Sequence, residues 1–141
     1  MKTSLDQFFK TDDNEEKNGK WFVLQNEGDG KKEISFLMRP FKATNPRVKA
    51  AVAAHHKPYA RQIEAGTLDI KKALEIKIKL WATVSLVDWK GVDIDGTEVP
   101  ASIENAVKVF SNLPDGFDIL WGYVNDFNNY KIEETQDVGN S

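Results

Sequence analysis

Cysteine is absent from this sequence, which removes disulfides as a source of stability and excludes zinc sites built on thiolates. Long apolar runs are missing too. No stretch approaches the roughly 18 uninterrupted apolar residues of a membrane span, and MKTSLDQFFKTDDNEEKNGK at the start holds no apolar run long enough for a signal peptide. Histidine occurs twice, as the neighbours His55 and His56. On a helix they would diverge by about 100°, so they cannot share a metal in the manner of the four-residue HExxH spacing. The phosphate loop GxxxxGK[ST], the dinucleotide fingerprint GxGxxG and the nucleophile elbow GxSxG are all lacking. These absences lead to the expectation of a non-catalytic, soluble protein of the cytoplasm, without cofactor, metal or membrane partner.

A length of 141 residues suits one domain, since domains centre on roughly 100–150 residues. Apolar residues make up 40% and charged residues 29%, respectively just under and just over the usual globular shares of about 45–50% and 25%. A modest core with well-solvated flanks is expected. The net charge of −3 forces no basic face, so a nucleic-acid partner is not expected. Lys71, Lys72, Lys77 and Lys79 alternate with apolar residues and read as a solvated face.

Along the chain, residues 1–20 read as a mobile flank: one short amphipathic turn around Leu5, Phe8 and Phe9, then the acidic linker TDDNEEKNGK. The segments KWFVLQ and KEISFLMR, separated by the turn-rich NEGDGK, predict a β-hairpin closing at Pro40. Asn45 and Pro46 then suit a helix start. Pro58 predicts a break, and Gly66 a helix end. The stretch from Asp69 to Trp89 carries both periods, because Leu74, Ile76, Ile78 and Leu80 alternate with charges while Ile70, Ala73, Leu74, Ile78 and Trp81 form a helical stripe. Its length exceeds ordinary strands of about 3–10 residues, so one buried helix over 69–87 is predicted. A loop, a helix capped by Ser102 and a last helix carrying Phe117, Leu120, Trp121, Val124 and Phe127 follow. The expected fold class is α+β: an N-terminal hairpin and a mostly helical body, one domain over 21–130, with a polar flexible tail over 131–141.

Asp93-Ile94-Asp95-Gly96 has the acidic texture of a calcium loop, but the glycine comes at the fourth position where an EF-hand needs it at the sixth. A tight turn is the better reading, with Gly96 at positive φ and Asp95 bonding locally. Four tryptophans and eight phenylalanines fill a core or line a groove for an apolar partner helix. Trp121 is expected inside and Phe8 or Phe9 at a surface.

The stretch LVDWKGVDIDGTEVPASIENAVKVFSNLPDGFDILWGYVNDF resembles the C-terminal half of tail assembly chaperones from long-tailed bacteriophages. In that family a helix ends in a hydrophobic-hydrophobic-x-Trp-x-Gly segment. An Asp/Gly loop, a Pro-x-Ser helix start, a helix stopped by Pro and a final helix follow. Here these are Leu86 to Val92 with Trp89 and Gly91, Asp95-Gly96, Pro100 with Ser102, Leu113-Pro114, and Phe117 to Phe127. The roles this implies are structural: Trp89 anchors the loop, Gly91 permits close backbone approach, Gly96 turns the chain, and Pro100 with Ser102 begins a helix.

The resemblance implies a protein absent from the finished virion, which binds the tape measure protein in the host cytoplasm until the tail tube polymerises. It also implies a tube-protein contact through a frameshifted extension, and several copies acting together as a homo-oligomer. A permanent head–tail connector or tail completion protein is the alternative. Candidate partner-binding residues are Phe8, Phe9, Ile76, Ile78 and Leu80.

Overall fold

The computed structural model describes residues 4–25 and 33–132. It is an α+β protein in which an N-terminal hairpin precedes a helical body. Strands β1 (Lys20–Gln25) and β2 (Glu33–Met38) pair antiparallel with Phe22 opposite Phe36. The expected turn NEGDGK lies outside the described residues. On β2 the core side carries Phe36 and Met38, both buried.

A third strand completes this sheet. β3 (Leu86–Lys90) pairs antiparallel with β2, Phe36 opposite Trp89, in the order β1-β2-β3. This corrects the helix expected over 69–87 and the helix end implied for the Leu86 to Gly91 segment. The helix α5 runs Ile70–Val84, and Ser85 turns the chain into strand, its carbonyl accepting the Arg39 amide at 2.7 Å. The physical reason is non-local. Without β3 the inner edge of β2 would present unpaired backbone groups to the core, and a two-stranded ribbon alone is marginal.

The double periodicity of α5 also has a tertiary cause. Helix α3 (Pro46–His56) packs on one side of it, and α6 (Ile103–Phe110), α7 (Pro114–Asn125) and β3 pack elsewhere around it. Two faces are therefore buried, which encloses Ile76, Ile78, Leu80 and Trp81 together. The remaining face carries Glu75, held by Lys72 at 3.2 Å and Lys79 at 3.0 Å.

Caps and breaks follow local chemistry. Asn45 accepts the Arg47 amide at the start of α3, and Pro46 occupies the first turn, where no amide is needed. Pro58 falls in a 3-10 turn, Lys57–Tyr59, which hands over to α4 (Ala60–Ala65). Gly66 ends α4 in the left-handed conformation. Residues Asp93–Ile94 and Thr97–Glu98 form a two-residue ribbon, β4 and β5.

The segment read as a flank carries two short helices, α1 (Ser4–Phe9) and α2 (Asp13–Asn18). Helix, not linker, occupies DNEEKN because the Asp12 carboxylate accepts the amides of Asn14 and Glu15. Between the helices, Thr11 bridges to Lys131, and the Asp12 amide donates to the Tyr130 carbonyl at 2.7 Å. Tyr130 itself is fully buried and donates its hydroxyl to the Met38 carbonyl at 3.1 Å.

Candidate functional site

The expected partner-binding residues come together only in part. Phe9 ends α1 and is 64% exposed, with the Lys131 ammonium 5.6 Å from its ring centre. Phe8 lies in α1, and its side chain falls outside the described ones. Ile76, Ile78 and Leu80 are core residues, and Ile78 has no accessible surface. Apolar residues on more than one face of the Ile70 to Leu80 segment suggest an exposed side there. The two-sided packing of α5 turns Ile76, Ile78 and Leu80 inward instead.

A surface hollow does form, and Ile76 and Leu80 belong to its lining together with residues not expected there. Its volume is about 390 Å3, within the size range of ligand sites, about 300–1,000 Å3. Helix α3 contributes Val52 and His56, which are one helical turn apart, and α4 contributes Ile63. Leu68, from the connection to α5, extends the wall. Below lie Ala73, Ile76, Lys77 and Leu80 of α5, with Trp121 of α7 and Phe41 closing the far side. Ile76 and Leu80 thus reach the floor of this hollow although almost wholly covered. Trp121, expected inside, is half-buried at its edge. It packs on Phe41 at 4.9 Å between ring centres, and the Lys77 ammonium stands 5.7 Å from its indole. Of these lining residues the sequence offers only Ile76 and Leu80 as partner-binding candidates; the others join them when α3, α4 and α5, consecutive in the chain, pack with the more distant α7.

A second hollow of about 310 Å3 lies between the sheet and the α6–α7 pair. Ile34 and Phe36 line it from β2, Val109 and Phe110 from α6, Ile119 and Leu120 from α7, with Leu113 and Gly116 at its mouth. Leu113 and Ile119 remain 53% and 57% exposed.

The residues of the chaperone-like motif lie on the frame beside this second hollow. The buried Trp89 stands edge-on to Phe36 and donates its indole N–H to the Val99 carbonyl at 2.7 Å. That bond ties the β4–β5 ribbon to the sheet. Gly91 takes φ +78°, and a Cβ there would overlap the Glu33 carbonyl oxygen. Asp95 and Gly96 both have positive φ, 52° and 83°, as a tight hairpin turn requires. The carboxylate accepting the Gly96 amide belongs to Asp93, at 3.1 Å, where a local bond from Asp95 was expected. Pro100 and Ser102 start α6 as a pair: the Pro100 carbonyl accepts the Asn105 side-chain N–H, and the Ser102 hydroxyl accepts the Asn105 amide at 3.0 Å.

Burial and neighbouring charges shift several titratable groups. Burial, then the neighbouring Arg47, holds Arg39 below the usual arginine range. Hydrogen bonds from Lys79 and Lys72 hold Glu75 below the usual carboxylate range. Arg39 and Arg47 share a shallow polar cleft with Lys17, Asp13 and Glu16, a mixture of signs that selects no ligand charge. His55 bonds the Ala51 carbonyl through Nδ1 at 2.8 Å. Among the described residues no cluster of His, Asp and Glu is arranged to hold a metal ion, and no helix is long and apolar enough to cross a membrane.

Compared with known families, the chain matches the one described as YdaY prophage protein over residues 43–140. That span includes α3 to α7, β3 and every wall of the first hollow except Phe41. No curated protein and no solved structure matches.

Proposed function

The chain belongs to the YdaY prophage protein family, a phage-derived family, and from that premise we propose that it is a non-catalytic tail assembly chaperone. In this role it covers apolar helical stretches of the tape measure protein in the host cell until the tail tube polymerises, and is then released. The observation that carries the reading is the hollow between α3, α4, α5 and α7. Seven of its wall residues are aliphatic or alanine or phenylalanine, and Trp121 adds an indole face. Grooves of this kind accept one apolar face of an amphipathic helix, reading side chains one helical turn apart. A long unassembled helix with an apolar stripe exceeds the apolar patch that soluble monomers tolerate, so temporary cover has a clear physical benefit. Weak contacts by several copies along one helix keep the cover displaceable.

Co-expression with the tape measure protein of the same prophage tests the proposal. The expected outcome is that the tape measure protein becomes soluble only when this chain is present, and that the pair co-purifies. Unchanged solubility with no complex overturns it. Mass spectrometry of purified particles then decides for a permanent connector or completion protein if the chain is found in them.

A further inference from the structure

Charge is divided unevenly along this chain. Residues 39–80 contain ten Lys and Arg against three Asp and Glu, whereas residues 81–132 contain three against eight. The basic portion comprises α3, α4 and most of α5, the helices that supply most of the first hollow. Lys77 stands in its wall. On α3, Lys49 precedes the lining residues Val52 and His56 by three and seven positions, so it shares their face. Among the described residues Lys49, Lys57, Arg61, Lys71 and Lys77 have no carboxylate partner. Glu75, by contrast, is already occupied by Lys72 and Lys79.

The apolar surface also continues past the hollow. Ile70, Ala73 and Lys77 follow at three- and four-residue steps along α5, and Ile70 is 85% exposed. From Ile70 to Leu80 the helix advances about 15 Å, the length of two to three turns of a partner helix. An elongated apolar strip with cations along it defines the complementary occupant: apolar on one stripe, anionic on both shoulders.

We propose that this hollow takes an acidic amphipathic helix, whose large aliphatic side chains enter between α3 and α5 while flanking carboxylates meet Lys49 and Lys77. The inference rests on the reading of the hollow as a helix-binding site and adds the charge of what binds there. Aliphatic walls favour a protein helix over a nucleic acid, which calls for hydrogen-bond donors and stacking surfaces along its backbone path. Charge complementarity selects the segment and speeds its encounter, and the buried apolar side chains set how long it stays.

Three synthetic peptides of about 18 residues test this with the full chain. They share one leucine stripe at helical spacing and carry Glu, Gln or Lys at every flanking position. Binding is read by anisotropy of a fluorophore on the peptide. The Glu peptide is expected to bind about tenfold or more tighter than the Lys peptide, with the preference shrinking as salt rises. In the double variant Lys49→Glu with Lys77→Glu the order is expected to invert. Ala73→Tyr, which fills the hollow from an exposed position, is expected to abolish binding of all three peptides while its thermal unfolding stays close to that of the parent chain.

Equal binding of the Glu and Lys peptides overturns the charge inference and leaves the helix-binding reading standing. If no peptide binds, the hollow is not a helix site and the inference falls with it, whatever co-expression shows. A duplex DNA of similar length that binds more tightly than the Glu peptide, and loses binding in the double variant, identifies a nucleic acid as the occupant and overturns the proposal.

Discussion

At the level of single residues, two glycines on one loop separate backbone conformation from crowding. Gly96 sits at positive φ with nothing near its missing Cβ, whereas Gly91 combines positive φ with the Glu33 carbonyl directly against it. Gly96→Ala is expected to cost about 1 kcal/mol, the penalty of a left-handed L-residue. Gly91→Ala should cost about 2–3 kcal/mol, because the strand edge must also move. Urea unfolding of both variants checks the difference, and equal costs would mean that β2 yields readily at Glu33. Tyr130 supports a second prediction. Burial raises its pKa above the ordinary value, which for tyrosine is about 10. Below that pH both folded and unfolded states keep the proton and stability is unaffected. Above it the unfolded chain ionises while the folded one does not, so stability falls as pH rises. Tyr130→Phe loses the bond to the Met38 carbonyl, about 1 kcal/mol at neutral pH, yet should show a shallower decline above about pH 10. A decline as steep as that of the parent chain would assign the alkaline limb to other groups, Tyr123 among them, which burial also raises.

At the level of elements, what can be read from the sequence is what neighbouring residues decide. Ser102 caps α6 through its own hydroxyl, and Ser102→Ala is expected to destabilise by about 1 kcal/mol while Ser102→Gly costs only a few tenths. Thermal unfolding followed by circular dichroism distinguishes them, and equal losses would show that the cap adds little. The starts at Asn45 and Ser102, the break at Pro58, the end at Gly66 and the β1–β2 pair are all local in this sense. β3 is not. Leu86-Val87-Asp88-Trp89-Lys90 has strand-forming residues, but it continues an apolar run from α5, and only the open edge of β2 decides that the run must divide at Ser85. Helix α2 was obscured differently: its composition is that of a linker, and the Asp12 cap is a single side chain. The candidate site was the least legible part. Ile76, Ile78 and Leu80 are candidates because apolar residues fall on more than one face of their segment, and only the assembled fold shows that α5 is packed on two sides. Ile76 and Leu80 do line the hollow, but its other side chains, such as Val52, Ile63 and Trp121, become their neighbours only once α3, α4, α5 and α7 have assembled.

For the whole molecule, folding and binding draw on different sets of aromatic and apolar residues, which makes them separable by mutation. Trp81 has no accessible surface and stands within 6.2 Å of the Phe36 ring centre, 5.5 Å of Phe110 and 5.7 Å of Phe117. It therefore joins the sheet, α6 and α7 through one side chain of α5. Trp81→Ala should cost about 3–5 kcal/mol, a large part of the 5–15 kcal/mol typical of a whole domain. Sheet and helices should be lost in the same transition because the residue touches both. Ile63 lies on the outer wall of the first hollow and is 41% exposed. Ile63→Ala leaves no closed cavity, so its stability change should stay within about 1 kcal/mol. Binding of the acidic peptide should nevertheless weaken several-fold, because the apolar contact that prolongs the complex is reduced. Paired unfolding and anisotropy measurements on the two variants test this separation. If Ile63→Ala unfolded the chain as Trp81→Ala does, the hollow would be part of the structural core, and its apolar lining would no longer argue for a partner.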